Sequence, residues 1–161
     1  MVLQSVMDAS RSLSIPDTGE RVALAPDVLI LLADNTNGTG DEGGAYEGTR
    51  RLNRATLDRP AVALCLDYLP ADREARAVQA ASGCGQDVAD ALVTFARATR
   101  DAYALGDLSH PVGLRRLVAL ARQMQGGIPA AMAAQAAVIA SAPRDDQEVL
   151  RQLWTSHGKG V

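Results

Sequence analysis

Aromatic residues are nearly absent from this chain. One Trp, one Phe and three Tyr make up 3% of its 161 residues. A core must therefore be assembled from Ala, Val and Leu. Cysteine is as scarce: Cys65 and Cys84 are the two present, which excludes a disulfide framework and a cysteine-built zinc site. Cys65 lies in an apolar run and reads as a small core residue, whereas Cys84, in "SGCGQ", reads as a loop thiol. No apolar run approaches the roughly 18 residues that a membrane span needs. The opening "MVLQSVMDASRS" lacks the basic start and apolar stretch of a signal peptide. Positive charge is not in excess either: 16 Lys and Arg face 19 Asp and Glu, for a net charge of −3 and a pI near 5.3. That balance argues against general nucleic-acid binding. Together these absences predict a reduced, cytoplasmic protein that engages neither nucleic acid nor membrane.

What is present divides in two. The first stretch, "VLQSVMDASRSL", places Val2, Leu3, Val6 and Leu13 near one helical face and predicts a short amphipathic helix. "SIPDTGERVAL" (14–24) predicts a hairpin around Asp17-Thr18-Gly19-Glu20. "APDVLILLA" and "PAVALCLDY" (60–68) each read as an all-apolar buried strand, with a helix predicted over 48–59 between them. Two such strands joined by a helical crossover suggest parallel neighbours covered on both faces. After Tyr68 the pattern turns helical, in segments beginning at Pro70, Gln86, Pro111, Pro129 and Asp145 and separated by Gly, Pro or Ser. Gln86 or Asp87 is expected to cap the second of these helices and Asp145 the last. The fold class is α/β over residues 1–69, followed by an all-helical part over 70–161.

The apolar run "VLILL" empties into "ADNTNGTGDEGG" (33–44), so a strand delivers polar groups to one place. A calcium loop would start at Asn35, with Asn37, Thr39 and Asp41 as further ligands and Gly40 at the turn. The first three of these are neutral, and Tyr46 stands where the bidentate acid belongs. No metal site is expected. The phosphate-cradling pattern GxxxxGK[ST] occurs nowhere, and Gly158-Lys159 has Leu153 where the first Gly should stand.

The string "LLADNTNGTGDEGGAYEGTRRLNRATLDRPAVALCLDYLPADRE" resembles AAA+ ATPases of the MoxR and cobaltochelatase small-subunit type. There, such a string joins the fourth core strand to the fifth. "SIPDTGERVALAPDVLI" resembles the hairpin that precedes the sensor strand, and "GLRRLVALARQMQGG" the lid helix that opens on the second sensor arginine. The similarity runs from about residue 2 to 155. It implies the C-terminal part of an AAA+ module: the last parallel core strands with their crossover helix (1–69), then the helical lid (70–161). It implies Asn35 as sensor 1, positioning the attacking water, and Arg59 as the arginine finger offered to a neighbouring subunit. It implies Arg115 as sensor 2 at the phosphates, with Arg116 as the alternative register. ATP and Mg²⁺ are the implied ligands, and the implied partners are homo- or hetero-oligomeric ring subunits with a von Willebrand-type domain protein. The output would be remodelling or metal insertion.

Family members carry a P-loop and an acidic strand end upstream, and neither is found here. Neither ATP nor Mg²⁺ is therefore expected to bind tightly to the chain alone. Asp34 stands where the family has a small residue, Pro60 replaces the aromatic after "LDR", and "SHPVG" departs from the compact form before Arg115. Plainer readings stand beside these. Asn35 could end a strand, Arg59 could pair with Asp58 or another nearby acid, and Arg115 and Arg116 could be the solvated face of a helix. The alternative function is a non-catalytic protein-interaction module that kept the fold. His110 and His157 read as surface or cap residues, and Trp154 as the core anchor of the last helix.

Overall fold

The computed structural model describes residues 2–33 and 54–158, which fall into two units, Met1–Cys65 and Leu66–Val161. In the first unit, helix α1 covers Val2–Met7, strand β1 Ser12–Ser14, strand β2 Arg21–Ala23 and helix α2 Arg54–Leu57. The strands pair antiparallel, with Ser12 opposite Ala23, Leu13 opposite Val22 and Ser14 opposite Arg21. The predicted hairpin is therefore present, two residues earlier than the pattern placed it. Its turn closes where Ile15 N–H donates to the Glu20 carbonyl and Gly19 N–H to the Ile15 carbonyl. The opening helix ends sooner than its apolar spacing suggested. At Arg11 the chain reverses with φ at 36°, and the Arg11 guanidinium donates to the Val28 carbonyl at 2.8 Å.

The two apolar runs expected as parallel strands form none. Residues 24–33 and 60–69 carry no strand, and the sheet among the described residues is the β1–β2 pair. Leu29, Leu31, Val62, Leu64 and Leu66 are 71–89% exposed. A buried parallel strand is defined by ladder partners and by cover on both faces, and the described residues supply neither. The crossover helix is described only as α2; residues 34–53 lie outside the described residues.

The second unit is all helical, as the periodicity predicted. Helix α3 spans Ala71–Ser82, α4 Gln86–Leu105, α5 Leu114–Gln125, α6 Ala130–Ala137 and α7 Arg144–His157. A 3₁₀ turn covers Ile139–Ser141 between the last two. Apolar residues at helical spacing meet in one core. Leu92 and Phe95 of α4, Leu117 and Leu120 of α5 and Val78 of α3 are fully buried. Ala133, Ala134 and Ala137 let α6 approach closely. Trp154 of α7 meets Phe95 edge to face at 5.1 Å between centroids, a favoured arrangement for aromatic pairs. The expected role of Trp154 as the anchor of the last helix therefore holds.

The helix ends show what periodicity could not. Gly83 and Gly106 adopt the left-handed conformation that closes α3 and α4, Gly83 N–H donating to the Gln79 carbonyl and Asp107 N–H to that of Ala102. The expected caps are corrected. Gly85 and Pro143 occupy the N-cap positions and no side chain bonds there, while Asp87 and Asp145 sit inside the first turns. Acids in those positions complement the positive end of the helix instead. The helix expected over 129–141 breaks at Val138, because the β-branched pair Val138 and Ile139 turns inward through the 3₁₀ turn and is buried.

The two cysteines exchange their expected settings. Cys84 is buried in the tight α3–α4 connection, and Cys65 is exposed on the unpaired apolar run. No helix among the described residues is long and apolar enough to cross a membrane. Truncating the aromatic at the centre of the helical core, Phe95→Ala, is expected to destabilise the second unit by about 3–5 kcal/mol, measured by urea unfolding followed in far-UV circular dichroism.

Candidate functional site

Three of the four residues singled out by the sequence lie among the described residues, and the helical unit carries two of them. Arg115 and Arg116 stand in the first turn of α5, with Gly113 as the N-cap and no acidic residue in that turn. Both arginines are exposed. Arg116 is anchored, its Nη1 donating to the Ala137 carbonyl at 3.1 Å. It lines a cavity of about 510 Å³ with His110, Val138, Ser141, Pro143 and Leu150. Among the described residues Arg115 makes neither a hydrogen bond nor an ion pair. The helix therefore presents one anchored and one unengaged cation at an end that already attracts anions.

The loop feeding this helix, residues 106–113, is held from both sides. On the α7 side the buried Asp146 accepts the Ser109 N–H and the Ser109 hydroxyl, each at 3.0 Å. On the α4 side the Thr99 hydroxyl accepts the Val112 N–H at 3.0 Å while donating to the Ala96 carbonyl at 2.7 Å. Arg100 Nη2 donates to the Val112 carbonyl at 3.2 Å. Arg100 is itself fixed by a two-pronged ion pair with Glu74 of α3, at 2.8 and 2.6 Å. Both backbone groups of Val112 are thus spoken for, one helical turn before Arg115.

In the first unit Arg59 follows α2. Its Nε donates to Asp8 at 2.5 Å and its Nη1 to the Ala55 carbonyl, with the Arg59 side chain 24% exposed. Its carboxylate partner is Asp8, some fifty residues upstream, and not the adjacent Asp58. Asn35 lies outside the described residues, so Asn35 and the whole Gly-rich loop have no geometry here. Arg59 and the α5 arginines belong to separate units.

Glu74, Thr99, Arg100, Ser109 and Asp146 were not legible as site residues in the sequence. The partners that tie them into this network are 12 to 37 positions away, beyond the reach of any helical or turn pattern. Among the described residues no group of three or more His, Cys, Asp or Glu could hold a metal ion.

The family model for the CbbQ/NirQ/NorQ C-terminal region matches residues 74–156. The aerobic cobaltochelatase subunit CobS of Sinorhizobium sp is 32% identical over 122 residues, covering 73% of this chain and 37% of that protein. The present chain thus spans little more than a third of its relative's length.

Removing the carboxylate that holds Ser109 should be felt as an unpaired donor set. Asp146→Ala is expected to cost about 1–3 kcal/mol in chemical denaturation, and Asp146→Asn, which keeps an acceptor oxygen, less.

Proposed function

Because this chain belongs to the CbbQ/NirQ/NorQ C-terminal family and is a MoxR/CobS-like AAA+ C-terminal part, we propose that it serves as one portion of an ATP-driven ring subunit. Residues 1–69 contribute the end of the α/β core, and 70–161 form the lid. Asn35 acts as sensor 1, Arg59 as the arginine finger and Arg115 as sensor 2, with Arg116 in the alternative register. The observation that carries this reading is Arg115, a cation unengaged among the described residues, in the first turn of α5 beyond a loop clamped by Asp146, Thr99 and Arg100. A guanidinium so placed suits a phosphate.

ATP supplies the phosphoryl group, and its transfer depends on charge stabilisation and a placed water more than on covalent help. The described residues offer the phosphates the Arg115 guanidinium, and no group of three or more His, Cys, Asp or Glu that could hold a metal ion stands among them. No GxxxxGK[ST] occurs in these 161 residues, and the proposal assigns the phosphate cradle to none of them. The ring is homo- or hetero-oligomeric, a von Willebrand-type domain protein is the partner, and the output is remodelling or metal insertion.

A second reading, a non-catalytic interaction module that kept the fold, draws on Arg59. Its guanidinium is engaged with Asp8 and Ala55 rather than unoccupied.

The chain alone is expected to show no ATPase activity above background. Clear turnover by it, abolished by Asn35→Ala, would contradict the proposal. Mixed with a partner bearing the P-loop and the acidic strand end, it should give turnover. Arg59→Ala should then lower that turnover by roughly 10³–10⁵-fold with nucleotide binding largely intact, because a finger acts on the transition state. Asn35→Ala should do likewise, and Arg115→Ala should weaken binding as well. Turnover that survives Arg59→Ala, with partner binding lost on charge changes along the solvent faces of the helices after residue 70, would establish the interaction module instead.

A further inference from the structure

We propose that Glu74 and Arg100 are positioning residues for Arg115, an inference that rests on the reading of Arg115 as the phosphate-facing cation of the lid. The pair is buried, with the Glu74 side chain 2% and the Arg100 side chain 11% exposed. A buried ion pair is poor value as a source of stability, since desolvating both charges consumes most of what their attraction returns, but it fixes geometry tightly. Here the geometry is directed at one place. Arg100 spends Nη1 on Glu74 and shares Nη2 between Glu74 and the Val112 carbonyl.

Arg100 Nε is buried without a hydrogen-bond partner. An arginine placed only to satisfy its donors would not leave one of them dry. The fork is instead aimed so that the carboxylate orients the guanidinium and the guanidinium holds the loop. Tyr68 lies against the guanidinium face, 3.7 Å from Cζ to the ring centroid, a cation–π contact that adds to the hold on the guanidinium plane. Val112 precedes the Gly113 N-cap, so its carbonyl sets where the first turn of α5 begins and where Arg115 stands.

Arg100→Lys discriminates positioning from simple charge pairing. A lysine keeps the pair with Glu74 but cannot fork between a carboxylate and a carbonyl. Glu74→Gln keeps the shape and one acceptor oxygen while removing the orienting charge. Amide hydrogen exchange on the full chain is the primary readout. Both variants should raise exchange over Val112–Leu117 by about tenfold or more, well beyond any rise over Leu92–Ala96. Wild-type exchange in the loop of Arg100→Lys, or an equal rise in both regions, would overturn the proposal by showing a merely structural pair.

In the mixed assembly Arg100→Lys should raise KM for ATP by about tenfold and leave kcat within a few-fold. An unchanged KM in an active assembly would also overturn it. Absence of turnover with the wild-type chain counts against the reading of the site, and the exchange result then decides the positioning by itself.

Discussion

The helical unit turns on a single guanidinium. Arg100 bridges the Glu74 carboxylate of α3 and the Val112 carbonyl before α5 from its place on α4, so three helices are referenced to one planar group. Hydrophobic contacts hold those helices together but are not directional. The fork of an arginine is, because its donors lie in one plane at fixed angles. Thr99, the next residue toward the N-terminus, binds the other backbone group of Val112. The pair of adjacent α4 residues therefore fixes both the height and the direction of the strand-like entry into α5.

Around this polar centre the packing relies on small side chains. With five aromatic residues in the chain, bulk is concentrated where Phe95 meets Trp154, and elsewhere alanines bring the helices close. Arg122 adds a second polar tie, its Nε and Nη2 both donating to the Ala81 carbonyl at the end of α3. Close-packed small residues leave little room for rearrangement, so the first turn of α5 is presented on a rigid support. Rigid elements hold a functional side chain better than loops do. Arg116 is anchored to Ala137, and its neighbour Arg115 is left unengaged among the described residues.

The first unit has a different character. Its hairpin and Arg59 are held by local polar contacts, with Arg59 joined to Asp8 and Ala55. Leu29, Leu31, Val62 and Leu64 meanwhile stand in solvent. Apolar rows of this kind are ordinarily covered by neighbouring strands or by another chain. The chain spans 37% of its cobaltochelatase relative.

Periodicity by itself determined the helices from α3 to α7, because a helix is specified by contacts three and four residues apart, and "QDVADALVTFARATRDAYAL" coincides with α4 from end to end. The Asp17-Thr18-Gly19-Glu20 turn was legible for the same local reason. The string from "NTNGTGD" to "LDR" and the "GLRR" segment pointed to the family and to Arg59, Arg115 and Arg116 before any geometry was known. Only the tertiary structure decided the rest. Strands depend on partners outside their own sequence, so the runs at 28–32 and 60–68 looked like strands and form none. Cys65 and Cys84 exchanged their expected surroundings because burial depends on which segments find cover. The Glu74–Arg100–Val112 clamp joins residues 12 to 26 positions apart, and no local pattern records that distance, since the folding of α3 against α4 is what brings the carboxylate to the arginine.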